Sequence, residues 1–88
     1  MMEVKLYVRN LSKATTEHEL SMLFAQAGDV TVVDIIKDHI RGESRGFAFV
    51  TMSTQNEADR AVSMFNAYLF GNHSLKVDLV KPRQQRGL

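Results

Sequence analysis

Two Thr-x-x-Glu tetrads, Thr16 to Glu19 and Thr54 to Glu57, do most to limit what this chain can fold into. A threonine followed three residues later by a glutamate marks a helix start, because each side chain accepts from a backbone N–H that the first turn leaves unpaired. Behind the first tetrad Leu20, Leu23, Phe24 and Ala27 fall on one helical face, and Gly28 suits the C-terminal stop. Behind the second, Ala58, Ala61, Val62 and Phe65 make a narrow stripe whose small residues permit close packing. Two helices with one apolar face each must cover something flat, and the chain around them alternates at the period of a strand.

In the first strand Val4, Leu6 and Val8 turn inward while Lys5, Tyr7 and Arg9 turn outward. The second, Val30 to Asp38, is β-branched but ambiguous in phase, since Val32 and Val33 are both apolar; we assign Val33 and Ile35 inward and Asp34 outward. A polar hairpin loop, His39 to Ser44, carries Arg41 and Gly42 and leads to Arg45. In the third strand Gly46, Ala48, Val50 and Met52 share one face, and Phe47, Phe49 and Thr51 share the other with Arg45. Asn66 to Ser74 is a connection with turn formers at Gly71 and Asn72, after which Leu75, Val77 and Leu79 alternate with Lys76, Asp78 and Val80 as the last strand, ended by Pro82. The order β-α-β-β-α-β predicts an α+β, ferredoxin-like sandwich: a four-stranded antiparallel sheet with both helices on one face. With 88 residues and no cysteine, the chain makes one domain, residues 1–82, held by packing alone, with 83–88 expected to form a mobile basic tail.

That architecture leaves the other face of the sheet open, with Lys5, Tyr7, Arg9, Arg45, Phe47, Phe49 and Thr51 on it. Leaving rings in water forfeits roughly 1.5–3 kcal/mol per large apolar side chain, so a partner is expected. Flat rings between cations suit single-stranded nucleic acid, whose bases stack on rings while its phosphates are neutralised. The net charge of +1 is too small to argue for a polyanion by itself, but it is unevenly placed. Glu17, Glu19, Glu57 and Asp59 against Arg60 give the helices −3, so the remainder is +4 and the field steers a polyanion to the sheet.

Other functions find less support. His18, His39 and His73 are isolated from one another in sequence, and no metal or other cofactor is expected. Neither a nucleophile beside a base nor a phosphate loop is recognisable, so the reading is non-enzymatic. Small acyl-phosphate hydrolases share the element order and need an Arg and Asn near the first strand; Arg9 and Asn10 are there, but the exposed rings have no role in such an enzyme. No apolar run approaches a membrane span or a signal-peptide core, and a soluble, cytoplasmic protein is expected.

Arg45-Gly46-Phe47-Ala48-Phe49-Val50-Thr51-Met52 meets seven of the eight positions of the octamer K/R-G-F/Y-G/A-F-V-x-F/Y of the RNA recognition motif. Leu6-Tyr7-Val8-Arg9-Asn10-Leu11 is similar to the hexamer of the same family, and the resemblance runs from Val4 to Pro82. The closing Lys76-Val77-Asp78-Leu79-Val80-Lys81-Pro82-Arg83 most resembles the small stand-alone bacterial members, of the cyanobacterial kind. The resemblance implies that Tyr7 and Phe49 each stack on a base, that Phe47 packs against sugars, that Arg45 pairs with a phosphate, and that the first and third strands lie side by side. Met52 departs from the pattern at an inward position, which concerns packing only. Around this centre Lys5, Arg9, Asn10, Arg41, Lys76, Lys81 and Arg83 are the further candidates for RNA contact, although a single cation on a loop or tail is ordinarily just solvated. The expected ligand is single-stranded RNA; single-stranded DNA and a partner protein on the helical face are the alternatives.

Overall fold

The computed structural model describes residues 3–80. Strand β1 (Val4–Arg9) is followed by helix α1 (Glu17–Phe24), strands β2 (Val30–Lys37) and β3 (Ser44–Met52), helix α2 (Gln55–Phe65), a short hairpin of β4 (Leu69–Phe70) and β5 (His73–Ser74), and strand β6 (Lys76–Leu79). The main sheet is four-stranded and antiparallel in the order β2-β3-β1-β6, so β1 and β3 are its central strands. Lys81, Arg83 and the expected tail lie outside the described residues.

Both helices start where the tetrads place them. Thr16 accepts from the Glu19 N–H at 3.1 Å and the Glu19 carboxylate accepts from the Thr16 N–H at 2.9 Å, a reciprocated box. At α2 Thr54 accepts from the Glu57 N–H at 3.2 Å, while the Glu57 carboxylate accepts from the Ser53 hydroxyl at 2.5 Å. The apolar stripes of the helices close on the inward face of the sheet. Leu20, Leu23, Phe24, Ala58, Ala61 and Phe65 meet Leu6, Val8, Ile35, Ala48, Val50, Met52 and Val77 in one buried core, with Val33 packed at its edge. Met52, the departure from the octamer, is fully buried there.

Two local expectations are corrected and a third is filled in. Helix α1 ends at Phe24 with Ala25 as its C-cap, so Gly28 does not terminate it. Gly28 serves a close approach instead: a Cβ there would fall 2.6 Å from the Glu57 Cβ. In the connection after α2, Gly71 and Asn72 are the turn formers expected: at φ 59° and 66° they make the tight turn of the β4–β5 hairpin, whose two short strands the local pattern does not single out. This hairpin hands the chain to β6, with Leu75 N–H bonded to Tyr68 carbonyl at 2.9 Å and Val77 N–H to the Asn66 side chain at 3.1 Å. Finally, Thr51 has the outward parity but is only 8% exposed, since it sits in register between Lys5 and Val32 on its two neighbouring strands.

The glycine of the octamer has a backbone reason. The β2–β3 register slips between Ile35 and Lys37, and Gly46 absorbs the slip at φ 88° while its carbonyl accepts from the Leu11 N–H at 2.8 Å.

The Ser53 hydroxyl beside Glu57 holds its carboxyl below the usual carboxylate range, helped by backbone N–H groups of Asp29 and Thr54 and opposed by desolvation. A lowered pKa in the folded state means stability that is present above the unfolded value and lost as pH falls through the folded one. Denaturant midpoints followed from about pH 6 to about pH 3 therefore fall less steeply for Glu57→Gln than for the native chain. Parallel acid limbs would show that this contact contributes nothing.

Candidate nucleic-acid interface

Alternation on the two central strands builds the site. Tyr7 stands opposite Phe49 and Arg9 opposite Phe47 in the β1–β3 register, so three rings meet on the face away from the helices. The Tyr7 and Phe49 rings are 5.3 Å apart at 19°, and Phe47 meets them edge-on at 5.6 Å and 6.4 Å. All three are half-buried rather than fully exposed, because each ring covers part of another. The cluster therefore already recovers, without a ligand, some of the burial of its rings, at about 0.5–1.5 kcal/mol per aromatic pair.

Cations border the rings. The Lys5 Nζ lies 5.5 Å from the Phe49 centroid and the Arg9 guanidinium 5.2 Å from that of Tyr7, both within cation–π range. Arg9 also donates to Asp78 Oδ2 at 3.1 Å, the one ion pair among the described residues. Both partners are well exposed, so separating them for a phosphate costs at most about 1 kcal/mol. Arg45 is exposed at the start of β3, beside the β2–β3 loop, and Lys76 is exposed next to Arg9 on β6.

The structure thus brings together Tyr7, Phe47, Phe49, Lys5, Arg9, Arg45 and Lys76 on the main sheet. Arg41 stands apart on the β2–β3 loop, exposed beside Ile40, which is 92% exposed at the loop tip. Asn10 also has a structural use: at φ 64° it ends β1, and its amide donates to the Ser74 carbonyl at 2.8 Å, tying the sheet to the β4–β5 hairpin. Lys81 and Arg83 fall outside the described residues. One surface residue was missed. Val32, 51% exposed, faces outward beside Thr51 and extends the apolar part of the face. The signal was the Val32-Val33 doublet itself, since only one member of an adjacent pair can point inward.

Across the sheet the charges are mixed. Within the described strands of the main sheet, Lys5, Arg9, Arg45 and Lys76 share the ring face with Asp34 and Asp78, whereas α1 and α2 together carry −3. Among the described elements, the excess of positive charge is on the strands that carry the rings.

The profile of the family described as the RNA recognition motif matches residues 6–76. The chain is 43% identical over 84 residues, 96% of its length, to the chloroplastic 29 kDa ribonucleoprotein of Arabidopsis thaliana, of which it covers 25%. It spans about a quarter to a third of the curated relatives it matches. Among solved structures, RNA binding protein PG1 superposes with a TM-score of 0.86 at 35% identity, over 93% of this chain and 99% of that one. A chain of the Sxl-lethal protein/RNA complex does so with a TM-score of 0.82 at 32% identity, over 86% of this chain and 47% of that one.

Proposed function

The chain belongs to the RNA recognition motif family, and from that membership and the ring-bearing open face we propose that it binds single-stranded RNA there. The observation that carries this is the Tyr7–Phe47–Phe49 cluster, set on the uncovered side of the sheet and bordered by cations. Tyr7 and Phe49, neighbours on adjacent strands, receive successive bases; Phe47 packs against sugar; Arg45, Lys5, Arg9 and Lys76 take phosphates. Binding of this kind is non-enzymatic and belongs in post-transcriptional RNA metabolism. The named ribonucleoprotein relative is chloroplastic; a bacterial-type protein is our reading from the closing segment, and a cytoplasmic one from the lack of any run like a membrane span or signal-peptide core, to be tested by cell fractionation.

Salt dependence tests the phosphate part. The affinity for a short randomised RNA is expected to fall with salt along a shallow log–log line, with roughly −0.7 in slope per phosphate contact. Arg45→Ala is expected to reduce that slope by about one contact. Intact binding with a slope near zero would remove the phosphate role. A matched DNA oligomer in competition measures the preference for ribose, since stacking alone does not require the 2′-hydroxyl. A second reading, a protein-docking module, rests on Met64, Tyr68 and Leu69, exposed on and after α2 and outside the main sheet. It predicts a partner whose binding survives loss of the sheet rings.

A further inference from the structure

The β2–β3–β1–β6 register places four outward side chains in one row across the sheet: Asp34, Phe49, Tyr7 and Asp78. The two stacking rings are therefore bracketed by carboxylates. The two ends of the row differ. Asp78 is engaged by Arg9 at 3.1 Å, and that guanidinium also lies against Tyr7, so the Tyr7 end offers donors as well as acceptors. Asp34 is exposed and, among the described residues, has neither an ion-pair nor a side-chain hydrogen-bond partner. It presents two acceptor oxygens directly across from Phe49.

Adjacent strands are about 4.8 Å apart, so a base stacked over Phe49 reaches with one edge across to β2. We propose that Asp34 makes the Phe49 position selective for guanine. The inference rests on the RNA-binding reading and specifies it. An ionised carboxylate only accepts hydrogen bonds. Guanine alone shows two adjacent donors, N1–H and the N2 amine, on its Watson–Crick edge, matching the two carboxylate oxygens. Adenine and cytosine each set one amine beside an acceptor nitrogen, and uracil sets its single N3–H between two carbonyls. All three turn at least one acceptor toward the carboxylate, which repels it. Selection therefore comes both from the bidentate pair with guanine and from exclusion of the others.

The test uses oligouridylates carrying one central guanine, adenine, cytosine or inosine, titrated against the native chain, Asp34→Asn and Asp78→Asn by fluorescence anisotropy, with folding checked by circular dichroism. The native chain is expected to prefer the guanine oligomer about tenfold over the uridine parent, with inosine, which lacks the N2 amine, in between. Asp34→Asn is expected to bring guanine and uridine to within about twofold, while Asp78→Asn keeps the preference. Equal native binding of all the oligomers overturns the inference and leaves RNA binding standing. So does a guanine preference that survives Asp34→Asn, a loss of preference in Asp78→Asn instead, or a uniform weakening with the ratios unchanged. Failure of every oligomer to bind overturns this inference together with the RNA reading itself.

Discussion

A Phe47→Ala, Phe49→Ala double variant is expected to stay folded and lose about 2 kcal/mol or more of RNA affinity, roughly a thirtyfold increase in Kd. Each stacked base is worth about 1–3 kcal/mol, and Tyr7 remains to hold one. The rings lie on the face opposite the core, so their removal leaves the packing of α1 and α2 intact. What the fold loses is the mutual contact of the three rings, at 5.3–6.4 Å between centroids, and a modest drop in the denaturant midpoint should accompany the binding defect. Anisotropy with a short single-stranded RNA, alongside circular dichroism, separates the two effects. Unchanged affinity in the folded variant would show that the open sheet is not the RNA surface and would direct attention to the exposed Met64, Tyr68 and Leu69.

Phe24→Ala is expected to do the reverse. Phe24 is fully buried and meets Phe65 at 4.9 Å between ring centroids, joining the two helices beneath the sheet. Truncating a buried phenylalanine costs about 3–5 kcal/mol through lost burial and the cavity left behind. Domain stabilities run from roughly 5 to 15 kcal/mol, and a short chain with no disulfide has little in reserve. A fall in Tm on the order of 15 °C or more should follow, while RNA affinity, measured where the variant is still folded, remains close to native. A loss below about 1 kcal/mol would contradict the packing of α1 described here.

Much of this was legible in the chain because it is local. The two threonine caps lie where the tetrads put them, and the period-two pattern of β3 separates Ala48 and Val50 from Phe47 and Phe49 as the structure does. Ambiguity arose where local pattern had no unique solution. The Val32-Val33 doublet left the phase of β2 to be chosen, and the bulges that set it depend on β3, a separate part of the chain. Contacts with distant parts of the chain were hidden for a similar reason. Asn10 has the chemistry of a ligand contact, yet a carbonyl 64 residues away claims its amide. Gly28 has the place of a helix stop, yet its reason is Glu57, which comes near only when α2 docks.

The sequence by itself determined the starts of the two helices, the four strands of the main sheet, the inward and outward parity of β1 and β3, and the presence of rings and cations on a common side, since all of these follow from backbone period and capping within a few residues. Which outward residues are neighbours was decided by the tertiary structure. The stack of Tyr7 on Phe49, the ion pair that takes up Arg9 and Asp78, the covering of Thr51, and the row that sets Asp34 against Phe49 all come from strand order and register. Those are fixed by the summed packing of helices on the inward face, and a slip of one residue would turn every outward side chain inward.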